Sequence, residues 1–195
     1  MRVGIAGGSC SGKTSLAAAL ARHWDATVVS LDDYYLDLSH VEPGLRGERN
    51  FDHPSALDWA LLLSHLQNLA SGTVVQAPHY DFTTHTRTGS RALECTGRRV
   101  IVEGVFALYR TELRESLDLS IFLDVPPAVR LQRRLDRDSR ERGRGRVAIR
   151  EQHASTVEPM YRRFVLPTRE HADLVLDGRL ATAETTKLVV AAAGT

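Results

Sequence analysis

Lysine and cysteine are almost missing from this 195-residue chain: there are two of each, Lys13 and Lys187, Cys10 and Cys95. Two cysteines supply no disulfide framework, and a reducing cytoplasm is the expected setting. No apolar run approaches the length that spans a bilayer, and the first residues enter a strand-like stretch without the pattern of a signal peptide. Neither sign of charge dominates, and the formal net charge is +1 at neutral pH. That balance argues against a general nucleic-acid or membrane binder, so any basic surface has to be local. Internal repeats and low-complexity linkers are absent too. What remains is an ordinary globular composition, 43% hydrophobic and 25% charged. The length suits a single α/β domain over residues 1–195.

Scarcity gives Lys13 weight. Of the 25 basic residues 23 are arginine, yet a lysine stands in Gly7-Gly8-Ser9-Cys10-Ser11-Gly12-Lys13-Thr14. This stretch fits the pattern glycine, four residues, Gly-Lys-Ser/Thr without a gap. Val3-Gly4-Ile5-Ala6, a short apolar run, precedes it, and a helix-like run from Ser15 to His23 follows. That is the context a phosphate-binding loop requires. Glycines let successive backbone N–H groups turn around phosphate oxygens, and the helix dipole adds partial positive charge there. Lys13 is expected to reach the β- and γ-phosphates, and the Thr14 hydroxyl to ligate Mg2+. A compact ammonium on a flexible stem suits this position better than a planar guanidinium.

Strands and helices alternate along the rest of the chain. Thr27 to Leu31 reads as a second strand ending at Asp32-Asp33-Tyr34-Tyr35, and Ser39 to Asn50 as a surface loop. Pro54 suits the first turn of a helix capped by Asp52 or His53. That helix is expected from about Ser55 to Ala70, with Leu57, Leu61, Leu62, Leu66 and Leu69 on one face. Three segments, Thr73–His79, Tyr80–Thr88 and Ser90–Cys95, predict a small antiparallel ribbon inserted at about 73–97. Arg99 to Val102 predicts a buried strand ending in Glu103-Gly104. Leu119 to Val125 predicts another, followed by an arginine-rich helix over about Ala128–Arg140. A helix resumes near Val147 after Gly143 and Gly145. Leu174 to Leu176 is a last strand, and Ala183 to Ala193 a terminal helix with Thr182 as its cap. The alternation predicts a central parallel sheet with helices on both faces, a three-layer α/β fold that gathers ligands at the carboxyl ends of its strands.

The phosphate loop, Asp32-Asp33 and Glu103 each follow a strand directly, so all are expected on one rim. A phosphate loop alone does not separate a kinase from an ATPase or a nucleotide switch. Two carboxylates beside a Mg2+-nucleotide could divide the work, one assisting the metal and one accepting a proton from an attacking hydroxyl. Asp33 is a second acid that could share either role. Asp32 could instead cap the short helix after it. A carboxylate ending a Val-Ile-Val run, as Glu103 does, calls for a cation or a donor.

Six segments, in order, resemble the uridine (uridine-cytidine) kinase family: Gly7–Thr14, Asp32-Asp33-Tyr34-Tyr35, Asn50-Phe51-Asp52-His53-Pro54, Tyr80-Asp81-Phe82-Thr83-Thr84-His85-Thr86-Arg87, Glu103-Gly104 and Arg133–Arg144. The likeness spans roughly Arg2 to Asp177. It implies a P-loop kinase three-layer fold, related to phosphoribulokinase, with ATP or GTP as donor and Mg2+. The implied acceptor is the 5′-hydroxyl of uridine or cytidine. By the same resemblance Asp32 is the general base close to the metal, and Glu103 joins Thr14 there. Tyr35, Asp52, Tyr80, His85, Arg134, Arg137 and Gln152 line the nucleoside pocket. Arg142 and Arg144 belong to a mobile lid over about 134–152 that approaches the phosphates. The residue types agree with these roles. Tyr80 can stack on a pyrimidine, His85 can bond its polar edge, and the Asp52 carboxylate can accept from both ribose hydroxyls. Read alone, Tyr80 serves equally as ribbon core, His85 as a structural or exposed residue, and Asp52 as the cap before Pro54. The implied partners are a nucleoside and a nucleoside triphosphate, with no nucleic acid and no membrane, and a homo-oligomer is compatible.

Between Arg130 and Arg150 nine arginines stand against Asp136, Asp138 and Glu141. Besides a phosphate-facing lid hinged at the glycines, two other readings are open. One is a solvated face with Arg133–Asp136 and Arg134–Asp138 pairs; the other is a nucleic-acid surface, which the neutral chain disfavours. Phosphoribulokinase, pantothenate kinase and nicotinamide riboside kinase share the loop and the acidic strand end, and a nucleotide switch needs the loop alone. Adenine contacts are expected from the rim after the last strand, without assignment to residues.

Overall fold

The computed structural model describes residues 1–95, 99–141 and 143–194. Arg142, assigned above to the lid, and Gly97 lie outside the described residues. Five strands form one parallel sheet: β1 (Arg2–Gly7), β2 (Thr27–Ser30), β5 (Val100–Glu103), β6 (Leu119–Asp124) and β7 (Leu174–Asp177), in the order β2-β5-β1-β6-β7. Two more, β3 (Val75–Asp81) and β4 (Thr86–Leu93), make a separate antiparallel ribbon. Alternation along each strand feeds two cores, because successive side chains leave a sheet on opposite faces. Val3, Ile5, Ile101, Ile121 and Leu123 meet α1 (Lys13–Trp24) and, through Val189, the terminal α5 (Thr182–Ala192). Ala6, Val100, Val102 and Phe122 face the other way, against α2 (Trp59–Ala70) and the ribbon. The arginine-rich α3 (Pro127–Glu141) packs on α4 (Arg146–Gln152) beside the phosphate loop.

Several expected boundaries move, each for a local reason. The segment after Pro54 is not one helix. A tight turn, Pro54–Ala56, is followed by Leu57 and Asp58 in non-helical conformation, and α2 begins at Trp59. Leu57 pairs with Tyr35 as an isolated bridge, and the Asp58 carboxylate accepts the Leu61 N–H at 3.1 Å as the true cap. Before Pro54 the cap is His53, whose Nδ1 accepts the Ser55 N–H at 3.1 Å. The ribbon has two strands, not three, because Gly89 pairs with His79 inside β4 and does not end a strand. Its turn is held by Asp81, which accepts from Thr83 N at 2.7 Å and Thr84 Oγ1 at 2.9 Å. The loop from Ser39 contains a short helical turn, Pro43–Arg46. Thr182 begins α5 and does not cap it. Beyond α4 the helix runs on through two wide turns, His153–Val157 and Tyr161–Val165, that bond five residues back on either side of Pro159. Proline has no N–H to give the regular ladder, and a widened turn accommodates the loss.

No helix among the described residues is long and apolar enough to cross a membrane. The core on the α2 side is a test of this packing. Leu62 is fully buried there, and Leu62→Ala is expected to cost about 2–5 kcal/mol in urea unfolding, the range for a leucine truncated in a close-packed core.

Candidate active site

β1 ends in a loop that can turn only because of its special backbone positions. Gly7 has φ 142°, Cys10 61° and Gly12 99°. A Cβ on Gly7 would stand 2.6 Å from the Leu123 carbonyl oxygen, so the residue has to be glycine. Gly8 is constrained from the other side. Its missing Cβ would lie 2.8 Å from Cδ of Arg130. Arg130 is 1% exposed, with its guanidinium 3.8 Å from the Tyr161 ring centroid and 2.8 Å from Glu158. The loop surrounds a cavity of about 620 Å³ that Lys13, Thr14, Asp32 and Glu103 line together. Lys13 Nζ donates to the Gly8 carbonyl at 2.9 Å. Burial lowers the pKa of this ammonium, while Glu103 and Asp32 oppose the shift.

Glu103 is buried, and one oxygen, Oε1, accepts from Ser30 Oγ at 2.8 Å and Thr14 Oγ1 at 3.3 Å. Burial raises its pKa, with Asp32 adding to the rise and Lys13 opposing it. Ser30, which the sequence reading passed over, also caps the turn Leu31–Tyr34 by accepting the Asp32 N–H at 3.4 Å. The cap is therefore Ser30, and Asp32 does not fill that role. Asp33 does not share the site: it pairs with Arg91 of the ribbon at 2.8 Å and lines neither cavity. Among the described residues no group of three His, Cys, Asp or Glu side chains could hold a metal alone.

A second cavity of about 330 Å³ adjoins the first. Asp52, Tyr35, His85, Arg134, Arg137, Arg144 and Gln152 line it, as do Phe51, Phe82 and Thr83, which sequence reasoning missed. With His53 acting as the cap, Asp52 turns into this space, where burial raises its pKa against the pull of Arg134. Tyr35 packs against Phe51, Tyr80 and Phe82 with centroids 5.8, 5.3 and 5.8 Å away. Phe51 stacks on His85 at 4.3 Å and 12°, fixing the plane of the imidazole. Tyr80 is 4% exposed and is not part of the lining, so it backs the wall, and Phe82 is the ring from β3's end that meets the space. Burial pushes the Tyr80 phenol up to about 12, and its hydroxyl lies 3.4 Å from His85 Nδ1. The missed phenylalanines stand beside chosen residues, in Asn50-Phe51-Asp52 and Tyr80-Asp81-Phe82, so an aromatic neighbour of each polar candidate was the available signal.

The arginines divide between the cavities. Arg134 joins Ser9 Oγ at 3.2 Å to Gln152 Oε1 at 3.1 Å. Its expected pairing with Asp138 is present at 3.5 Å. The expected Arg133–Asp136 pair is not observed. Arg133 donates to the carbonyls of Cys10 at 3.3 Å and Gly178 at 3.0 Å, and Asp136 takes Gln132 and Arg146. Arg133 from α3 and Gly178, Leu180 and Thr182 from the stretch after β7 complete the lining of the first cavity. A cleft of about 650 Å³ on the far side of β7 is lined by ion pairs already made, Arg162–Glu158, Arg169–Asp124 and Arg179–Asp177.

Four residues, Ser9, Asp32, Val105 and Arg137, line both cavities. A phosphate loop on one side and a polar, aromatic-walled space on the other thus meet at one carboxylate. A model of the phosphoribulokinase/uridine kinase family matches residues 2–186. The chain is 43% identical over 177 residues to the uridine kinase of Deinococcus deserti, covering 89% of this chain and 86% of that one. It is 39% identical over 176 residues to the uridine kinase of Halobacterium salinarum, covering 89% and 78%. Among solved structures, a possible uridine kinase from Bacillus stearothermophilus superposes with a TM-score of 0.53 at 25% identity, over 91% and 88% of the two chains. The phosphoribulokinase of Rhodobacter spheroides superposes with a TM-score of 0.60 at 14% identity, over 90% and 71%, a likeness of fold alone. With the family model covering most of the chain and the relatives at about 40% identity, this chain belongs to the phosphoribulokinase/uridine kinase family.

Proposed function

We propose that this protein transfers the γ-phosphoryl group of ATP to the 5′-hydroxyl of a pyrimidine ribonucleoside, uridine or cytidine, in the cytoplasm. The observation that carries the reading is the position of Asp32, at the junction of the phosphate-loop cavity and the aromatic-walled one. A hydroxyl entering from the second cavity meets a carboxylate there before it meets the phosphate. The similarity to uridine kinases supports the same acceptor.

In this reading the loop N–H groups and Lys13 hold the triphosphate. Asp32 accepts the proton of the attacking hydroxyl. Asp52 accepts from the ribose hydroxyls, and His85, its plane held by Phe51, bonds the edge of the base. Tyr35, Phe82 and Gln152 complete the pocket, with Tyr80 as support. Thr14, Asp32 and Glu103 offer the hard oxygens that Mg2+ prefers and would hold it here, with no third acid joining them among the described residues. When bound, the ion neutralises charge on the phosphate oxygens. Arg134, Arg137 and Arg144 bring guanidinium groups to the boundary, where charge spreads over the transferring phosphoryl group. Gly143, at φ 61°, and Gly145 flank Arg144 and give the 134–152 segment its freedom to act as a lid.

The first test is ADP release across a panel of nucleosides, pantothenate, ribulose 5-phosphate and nicotinamide riboside, with uridine or cytidine expected to stimulate most. No stimulation by any acceptor would remove the reading. Asp32→Asn is expected to lower kcat by about 10²–10⁴-fold, the worth of a general base, while equilibrium nucleotide binding is retained. Wild-type turnover in that variant contradicts the base assignment.

Asp52 and Glu103 both hold their protons above their ordinary values of 3.8 and 4.5. Both must ionise to do the work described, so kcat/KM for the nucleoside should fall on acidification while the pH is still above that range. For stability the sign is the reverse of the usual carboxylate. The native state binds the extra proton, so this contribution is complete below the unfolded values and is lost as pH rises through the raised native ones. Urea unfolding of Glu103→Gln against the parent should show the variant gaining relative stability as pH rises, with kcat depressed throughout.

A further inference from the structure

Asp138 on α3 is 0% exposed and lines neither cavity. Three arginines that do line the acceptor cavity converge on it: Arg137 Nε at 2.9 Å, Arg134 Nε at 3.5 Å and Arg144 Nη1 at 3.8 Å. Its main-chain carbonyl also accepts the Arg144 N–H at 3.2 Å, so one residue holds the start of the glycine-flanked segment by backbone and side chain together. The contacts are unequal. Oδ1 accepts a hydrogen bond from Arg137, whereas Oδ2 accepts none and Arg134 Nε donates none. On the cavity side Asp52 exerts its own pull on Arg134 and Arg144. These two arginines therefore pair with a carboxylate outside the cavity and share the cavity lining with another. A solvated face does not describe a group with no exposure, and the three arginines that Asp138 gathers all line the cavity in which Asp32 and Asp52 also stand.

We infer that Asp138 is a positioning residue that acts through Arg134, Arg137 and Arg144, aiming their guanidinium groups at the transferring phosphoryl group and tethering the Gly143–Arg146 segment. The inference rests on the proposal that these arginines face that group. Asp138 contributes nothing to the substrates directly. Its effect on the rate comes from guanidinium direction, where an error of about 1 Å can cost on the order of 10²-fold.

The test is a double-mutant cycle of Asp138→Asn and Arg144→Gln in the full chain, with limited trypsin digestion of each variant. Asp138→Asn is expected to lower kcat about tenfold or more while the KM for ATP changes by less than about threefold. In the Arg144→Gln background the same change should cost little, because the arginine through which it acts is gone. Cleavage within the Gly143–Arg146 segment should be several-fold faster in Asp138→Asn, with other sites unchanged. A residue that merely stabilises the fold would lower the unfolding midpoint, give additive losses in kcat and leave the cleavage pattern alone. Additive losses, or unchanged cleavage at that segment, overturn the inference. Asp138→Glu, which keeps the charge and moves it by one methylene, carries the same cycle should the Asn variant not fold. The cycle is read with whichever acceptor the wild-type protein turns over, so failure of the nucleoside reading and failure of this inference are distinguishable. The digestion is independent of any acceptor.

Discussion

A carboxylate withdrawn from water at the end of a strand has to be met by donors or a cation, and at Glu103 this requirement organises the site. Its Oε1 receives the Ser30 hydroxyl from the end of β2 and the Thr14 hydroxyl from the first turn of α1. Three elements with different packing duties are thereby tied at one oxygen. The same Ser30 caps the turn that carries Asp32. The phosphate loop and Asp32 thus share a mounting, and neither can shift far without breaking a buried contact of the other. The electrostatic cost is visible in the raised pKa of Glu103, since burial and Asp32 both work against its charge.

Around that mounting, charge is arranged by depth. Carboxylates sit at the strand ends, the ammonium of Lys13 lies in the loop, and guanidinium groups arrive from α3 and the segment after it. The near absence of lysine makes sense in these terms. Planar, permanently charged arginines can be locked by hydrogen bonds to carbonyls and carboxylates, as Arg133, Arg134 and Arg137 are. The one lysine in the loop folds back on a carbonyl with a single contact of 2.9 Å.

Much of the framework was legible because its signals are local. The spacing from Gly7 to Thr14 and the apolar strands leading to Asp32 and Glu103 are determined by backbone and sheet geometry alone, so the common rim followed without any tertiary information. The acceptor side was less so. Asp52 and His53 were equal candidates for one cap, and only the tertiary structure assigns it to His53. The pairing of Leu57 with Tyr35 broke an otherwise helical pattern, because a bridge between distant segments outweighed local propensity. Phe51, Phe82 and Thr83 stand beside the polar candidates in the sequence, but nothing local says that they face a cavity; the ribbon turn brings Phe82 and Thr83 there, and the loop before Pro54 brings Phe51. The solvated-face alternative fails at Arg133 for a related reason: helical spacing offers Asp136 as a partner, but the Cys10 and Gly178 carbonyls, remote in the chain, are better placed.

The stack of Gly8 on Arg130 on Tyr161 extends the reach of the loop's second glycine well beyond its neighbours. Any side chain at position 8 enters space that the Arg130 stem already fills, and shortening Arg130 uncovers the ring and leaves Glu158 to Arg162. Positions 8, 130, 158 and 161 therefore form one packed unit, in which a change at one is felt at the others. For anyone grafting this loop onto another scaffold, the transplantable piece is the loop together with that column, and the eight residues of the motif alone would arrive without their floor.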